Sequence, residues 1–157
     1  MKRSTIAALL WTSLATAPAL LLPSCAGQTR LQSTEPLHIE RFSRYKTDIA
    51  TPQARMSGII FLQQSEGGWT GRMLNEFGLG MFDFSVRRGK CKLSNMMPMI
   101  DKWYIRRTVA GDLGYLLGEG NDGRMSKGHA IERRHGGGFI MTNTRRRITY
   151  TFHPIRQ

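Results

Sequence analysis

Among the side chains equipped for chemistry, Glu76 and Asp83 are the most prominent acids of the central region. General acid–base catalysis needs a second titrating group within hydrogen-bond reach of the first, and neither acid has a histidine or third acid at a suggestive spacing. Both read as turn or surface partners of arginine. His38, His129, His135 and His153 are scattered singly, without the spacing of metal ligands. Met96, Met97 and Met99 lie close to Cys91 and are soft sulfur donors of the kind that holds Cu(I). Methionines serve an irregular apolar edge equally well, and neither a metal nor a cofactor is expected. Gly-x-Ser-x-Gly, His-Glu-x-x-His and phosphate-cradling glycine loops are absent. These residues predict a protein that is not an enzyme.

The other thiol, Cys25, stands at the end of an organised N-terminal segment. Lys2 and Arg3 precede an apolar run from Ile6 to Leu22, and small or turn-forming residues follow, which is the order of a secretory signal. The run is at the short limit for a permanent span of ~20 residues and is interrupted by Thr12, Ser13, Thr16 and Pro18. Residues 1–24 are therefore expected to be cleaved. Leu22-Pro23-Ser24-Cys25 resembles the lipobox of bacterial lipoproteins, with Pro23 an uncommon middle residue. That resemblance implies lipid attachment at Cys25, a mature protein beginning there, and membrane association through the lipid. Ala26-Gly27 in place of an acidic residue implies transfer to the outer membrane, on its periplasmic face. An ordinary secretory signal with a chance cysteine is the alternative.

Taking 24 residues from 157 leaves 133, the size of one domain with one core. Loss of Lys2 and Arg3 lowers the formal charge only from +12 to +10. In a cytosolic protein such a balance would favour nucleic acid, but beyond the inner membrane the available polyanions are lipid headgroups and surface polysaccharide. No nucleic-acid partner is expected. Lipidation of Cys25 would leave Cys91 alone, so no disulfide framework is expected either. Residues 25–36 are polar and aperiodic, and read as a tether. Residues 37–157 then form one β-rich domain.

The elements that must position any site are mostly short strands. Leu37 to Tyr45 alternates imperfectly, and Met56 to Gln63 holds the run Ile59-Ile60-Phe61-Leu62, which suggests a strand covered on both faces. Gly67-Gly68 punctuates a hairpin whose return arm is Trp69 to Phe77. Phe82, Phe84 and Val86 alternate with Asp83 and Ser85, Arg88-Gly89 turns the chain, and Cys91 and Leu93 continue the meander. Pro98 marks a helix start, with Ile100, Trp103, Tyr104 and Arg107 as its packing stripe. Gly111 and Gly114, each costing about 1 kcal/mol in a helix interior, should bend or end it. Gly118 to Gly128 reads as a loop, and strands follow at His129 to Arg134, Phe139 to Met141 and Ile148 to Phe152. The expectation is a mainly β (α+β) domain: a curved antiparallel sheet or open half-barrel of about seven strands with one helical excursion.

Asn75-Glu76-Phe77-Gly78 and Met81-Phe82-Asp83-Phe84, with Ser57-Gly58-Ile59-Ile60 upstream, form the most distinctive pattern of the domain. Over roughly residues 55–118 it resembles small Gram-negative lipoproteins of the superfamily of the lipoprotein-localisation factors LolA and LolB. That resemblance implies an incomplete barrel whose apolar hollow binds acyl chains of a lipid or lipoprotein. Ile60, Leu62, Leu74, Phe82 and Phe84 would line the hollow, with the helix of Trp103 as its lid. The alternative is that the same residues fill a core, in an anchored structural or assembly subunit that recruits a protein partner through its basic edges. Three basic clusters, Arg106-Arg107, Arg133-Arg134 and Arg145-Arg146-Arg147, suit either anionic headgroups or protected sheet edges.

Overall fold

The computed structural model describes residues 37–118 and 128–156; the signal segment, Cys25, the tether and most of the glycine-rich loop lie outside them. Period-two burial organises nearly everything else. The strands are β1 (Phe42–Ala50), β2 (Arg55–Ser65), β3 (Gly68–Asn75), β4 (Gly80–Arg87), β5 (Lys90–Ser94), β6 (His129–Arg133), β7 (Phe139–Asn143) and β8 (Ile148–Pro154), with one helix, α1 (Trp103–Leu117), between β5 and β6. The eight strands make one antiparallel sheet in the order β5-β4-β3-β2-β1-β8-β7-β6. Tyr45, Thr47 and Ile49 of β1, Phe82, Phe84 and Val86 of β4, and Tyr150 and Phe152 of β8 are all buried. Their partners across the ladders, such as Ile60 opposite Tyr45 and Met73 opposite Ile60 and Phe82, continue one apolar face, because side chains at i and i+2 share a side of the sheet.

That face is concave. The two edge strands of a flat eight-stranded sheet would be separated by seven spacings, ~33 Å at ~4.7 Å each. Yet α1, no wider than ~12 Å with its side chains, packs against β5 and β4 and also bonds side chains of β6, β7 and β8. Only a sheet curled into an open half-barrel brings both edges to one helix. No ladder joins β5 to β6 among the described residues, and α1 lies across that gap.

The helix differs from the sequence expectation in place and facing. Pro98 lies in a turn before the helix, which starts at Trp103 with no side-chain cap and no acid in its first turn. Its buried stripe is Val109, Asp112, Leu113, Leu116 and Leu117, and not Ile100, Trp103, Tyr104 and Arg107. Gly111 and Gly114 do not end it. Gly114 is needed where it stands, because a Cβ there would lie 2.6 Å from the carbonyl oxygen of Gly89 in the β4–β5 turn, and tertiary packing outweighs its poor helix propensity. No helix among the described residues is long and apolar enough to cross a membrane.

Candidate functional site

Four of the six expected hollow residues converge. Ile60, Leu62, Phe82 and Phe84 are at most 3% exposed and belong to one cluster with Val109, Leu113, Leu116 and Leu117 of α1. Leu62 and Phe84 lie on either side of Gly71, where a Cβ would meet the Phe84 ring at 2.3 Å; the missing side chain is what leaves room for that ring. The other two differ. At the register shift between Met73 and Leu74, Met73 takes the inner position and is fully buried, while Leu74 is only half-buried, opposite Ile59 on the other face. The helix that Trp103 begins does lie over the concave face, but the Trp103 side chain lines nothing there: it is 75% exposed, with its ring at right angles to that of Tyr104. A cavity of about 750 Å³ lies elsewhere, where β1 begins and β8 ends, lined by Phe42, Arg44, Tyr45, Gly136, Pro154 and Arg156 among others and by none of the six.

The concave side also holds a polar group that the sequence reading missed. Asp112, on the buried stripe of α1, is 1% exposed. Its carboxylate accepts hydrogen bonds from the Tyr150 hydroxyl at 2.5 Å, the Asn143 amide at 2.7 Å and His129 Nε2 at 2.8 Å. The last bond assigns the proton to Nε2, since a carboxylate only accepts. His129 in turn stacks on Tyr115, ring centroids 4.5 Å apart. Burial above all, and then the negative Asp112, push the Tyr150 hydroxyl well above its ordinary value, so it remains a donor. His129 Nδ1 is buried without a hydrogen-bond partner among the described residues, and no hydroxyl or thiol nucleophile is paired with it. The arrangement therefore works as a clamp. One carboxylate ties α1 to three successive strands beyond the gap, with charge-assisted bonds of the stronger kind. The available signal was an acid at position 112 on the i, i+3, i+4, i+7 stripe of Val109, Asp112, Leu113 and Leu116.

The distinctive central motif builds a turn. Asn75 Oδ1 accepts from the backbone N–H of Phe77 at 3.0 Å and of Leu79 at 2.9 Å, an Asx turn, and Gly78 supplies the left-handed backbone at φ 78°. Glu76 accepts a hydrogen bond from the Ser57 hydroxyl on β2. Gly58 has no room for a Cβ beside the Leu74 carbonyl. Asp83 receives Arg72 at 2.5 and 3.1 Å and Asn95 at 2.6 Å, and these partners hold its carboxyl below the usual range. Asp83 is thus the arginine partner expected of it, whereas Glu76 sits in the turn but takes the Ser57 hydroxyl and not an arginine. At the tip, Phe77 is 87% exposed and Leu79 58%.

The sulfur residues do not converge: Met96 is buried, Met99 is 79% exposed, and burial pushes the Cys91 thiol up to about 11. No group of three His, Cys, Asp or Glu residues among the described ones is placed to hold a metal. Arg133 lies on edge strand β6 with Arg134 just beyond it, Arg145–Arg147 occupy the β7–β8 turn, and Arg106 and Arg107 lie in the first half of α1. No family model matches the sequence, and no curated protein matches it.

Proposed function

We propose that this chain is a non-enzymatic lipoprotein of the outer membrane, held on the periplasmic face by lipid on Cys25. Its half-barrel serves as an anchored structural or assembly subunit that recruits a protein partner. The observation supporting this reading is the burial of the concave face: Ile60, Leu62, Phe82 and Phe84 belong to one core cluster with Val109, Leu113, Leu116 and Leu117 of α1, which packs against β5 and β4. An interior occupied by its own helix leaves the outer surface and edges to do the binding, and the edge strands carry Lys90, Lys92 and Arg133. The anchor is tested by Cys25→Ala, which should lose incorporated fatty-acid label and leave the membrane fraction. A variant still cut after Ser24 and still partitioning with membranes would contradict it.

LolB-like carriage of a lipid or acylated protein is the second reading. It is favoured by the makeup of the inner wall, which is apolar beneath α1 from Ile60 to Val86. Were α1 to release the Asp112 clamp and swing aside, that wall would be exposed to an acyl chain. Binding that strengthens with chain length separates carriage from assembly.

A further inference from the structure

We infer that one end of the half-barrel is a membrane-docking surface for a bilayer bearing anionic headgroups, in addition to and independent of any lipid on Cys25. The registers place several segments at that end. β3 ends where β4 begins, and the Gly58–Asn75 pair sets the start of β2 beside them. Ala50 at the end of β1 pairs with Thr149 at the start of β8, and Asn143 at the end of β7 pairs with Ile148. The β3–β4 and β7–β8 turns therefore share one rim. The segment before α1 joins them, because the N–H of Met97 bonds the Met81 carbonyl at the start of β4.

Apolar side chains left in solvent gather on this rim: Phe77 and Leu79 in one turn, then Met99, Trp103 and Tyr104 in the segment entering α1. A hydrogen-bonded Asx turn is spent on holding Phe77 out. Cations occupy the same end of the sheet: Lys102 and Arg107 beside the α1 group, and the exposed Arg145, Arg146 and Arg147 in the β7–β8 turn farther along the rim. The acids of the same segments are engaged, Glu76 with Ser57 and Asp101 with Arg106. Tryptophan and tyrosine favour the headgroup level, where an amphipathic ring is half solvated. Each basic residue near an anionic surface adds attraction that apolar insertion alone lacks. Separate protruding tips bearing aromatic and basic side chains match a plane of fluid headgroups, which conforms to each tip.

The strands, the helix and the core cluster of the described residues all lie within 37–156, so the chain lacking residues 1–25 is the test protein, without signal or lipid, with its fold checked by its melting curve. Co-sedimentation with phosphatidylglycerol/phosphatidylethanolamine vesicles should show binding that falls at least tenfold on phosphatidylcholine vesicles. Phe77→Asp should weaken binding to the anionic vesicles at least tenfold with an unchanged melting curve, because the residue has almost no contacts to lose. Replacing Arg145, Arg146 and Arg147 together with Gln should weaken it and flatten its salt dependence. Absence of binding to anionic vesicles, equal binding to both vesicle types, or binding indifferent to Phe77→Asp would overturn the proposal. A solution dimer dissolved by Phe77→Asp, without vesicle binding, would assign the rim to a second copy instead. None of these outcomes depends on whether Cys25 is acylated.

Discussion

Replacing Asp112 with alanine probes the attachment of α1 to β6, β7 and β8. The substitution strands three buried donors, on Tyr150, Asn143 and His129, whose bonds to the carboxylate span 2.5–2.8 Å. An unsatisfied buried donor costs ~1–3 kcal/mol, so three give a gross loss of roughly 3–9 kcal/mol. Removing a buried carboxylate recovers part of its own desolvation, and water entering beside half-buried His129 would satisfy part of what remains. The expected net loss is about 3–5 kcal/mol, a large share of the ~5–15 kcal/mol typical of a domain. Tyr150→Phe removes one charge-assisted bond and should cost ~1.5–3 kcal/mol. Urea unfolding is the assay, with the midpoint compared at constant slope; at a slope of ~2 kcal/mol/M, Asp112→Ala should move the midpoint down by roughly 2 M. In a double-mutant cycle the two substitutions should couple by at least ~0.5 kcal/mol, as groups in one network do. A loss below ~0.5 kcal/mol for Asp112→Ala, or strict additivity with Tyr150→Phe, would refute the clamp.

Three further outcomes follow from individual side chains. Gly114→Ala should destabilise by ~1–3 kcal/mol through its clash with the Gly89 carbonyl, whereas Gly111→Ala, with open space around it, should stabilise by ~0.5–1 kcal/mol; equal unfolding midpoints would contradict this packing. Cys91, with its thiol raised to about 11 against an ordinary 9.0, should react with iodoacetamide at pH 8 roughly 100-fold more slowly in the folded chain than in urea, because only the thiolate attacks. Tyr150, raised in the folded state, contributes stability that is fully present below the unfolded value of 10.0 and is lost as pH rises through the folded value. Alkaline titration followed by tyrosinate absorbance should therefore leave Tyr150 un-ionised until the domain unfolds, with Tyr45, which burial also raises, contributing to the same late component, and Tyr150→Phe should reduce that component by one tyrosine.

What the sequence disclosed follows from how each signal arises. Phe82-Asp83-Phe84-Ser85-Val86 and Ile148 to Phe152 are legible because a strand with one buried face writes its burial directly as alternation. The β4–β5 turn was legible in Arg88-Gly89, both of which take positive φ. Leu37 to Tyr45 reads as the first strand, ahead of the observed Phe42–Ala50, because Thr47, a polar residue, occupies an inner position between Tyr45 and Ile49 and breaks the apolar count. The helix was displaced because glycine penalties argued against Gly111 and Gly114, while the neighbour that makes Gly114 necessary, Gly89, is distant in sequence. Leu74 reads as part of the inner wall from its apolar character, but alternation along β3 from Trp69 through Gly71 puts its neighbour Met73 inside and Leu74 on the other face. The carboxylate clamp joins residues 112, 129, 143 and 150, a juxtaposition that only the curled sheet creates. The proposed anchor is the opposite case: the pattern that suggests it is local and lies wholly in residues 1–27, outside the described ones.

On the proposed reading, a lipid-anchored half-barrel keeps its concave face filled by α1 and works through its surface. Titration of the chain lacking residues 1–25 with saturated fatty acids of increasing length tests it most directly. Burial in an apolar hollow would add ~0.8 kcal/mol per CH₂ before ordering costs, a gain of about fourfold in affinity for each methylene. The filled interior predicts no saturable one-to-one binding at any length, and an Asp112→Ala variant that gains binding would show what the helix covers. Saturable binding to the wild-type domain that strengthens with chain length, and that a charge at Phe84 abolishes while the fold survives, would contradict the account and establish carriage.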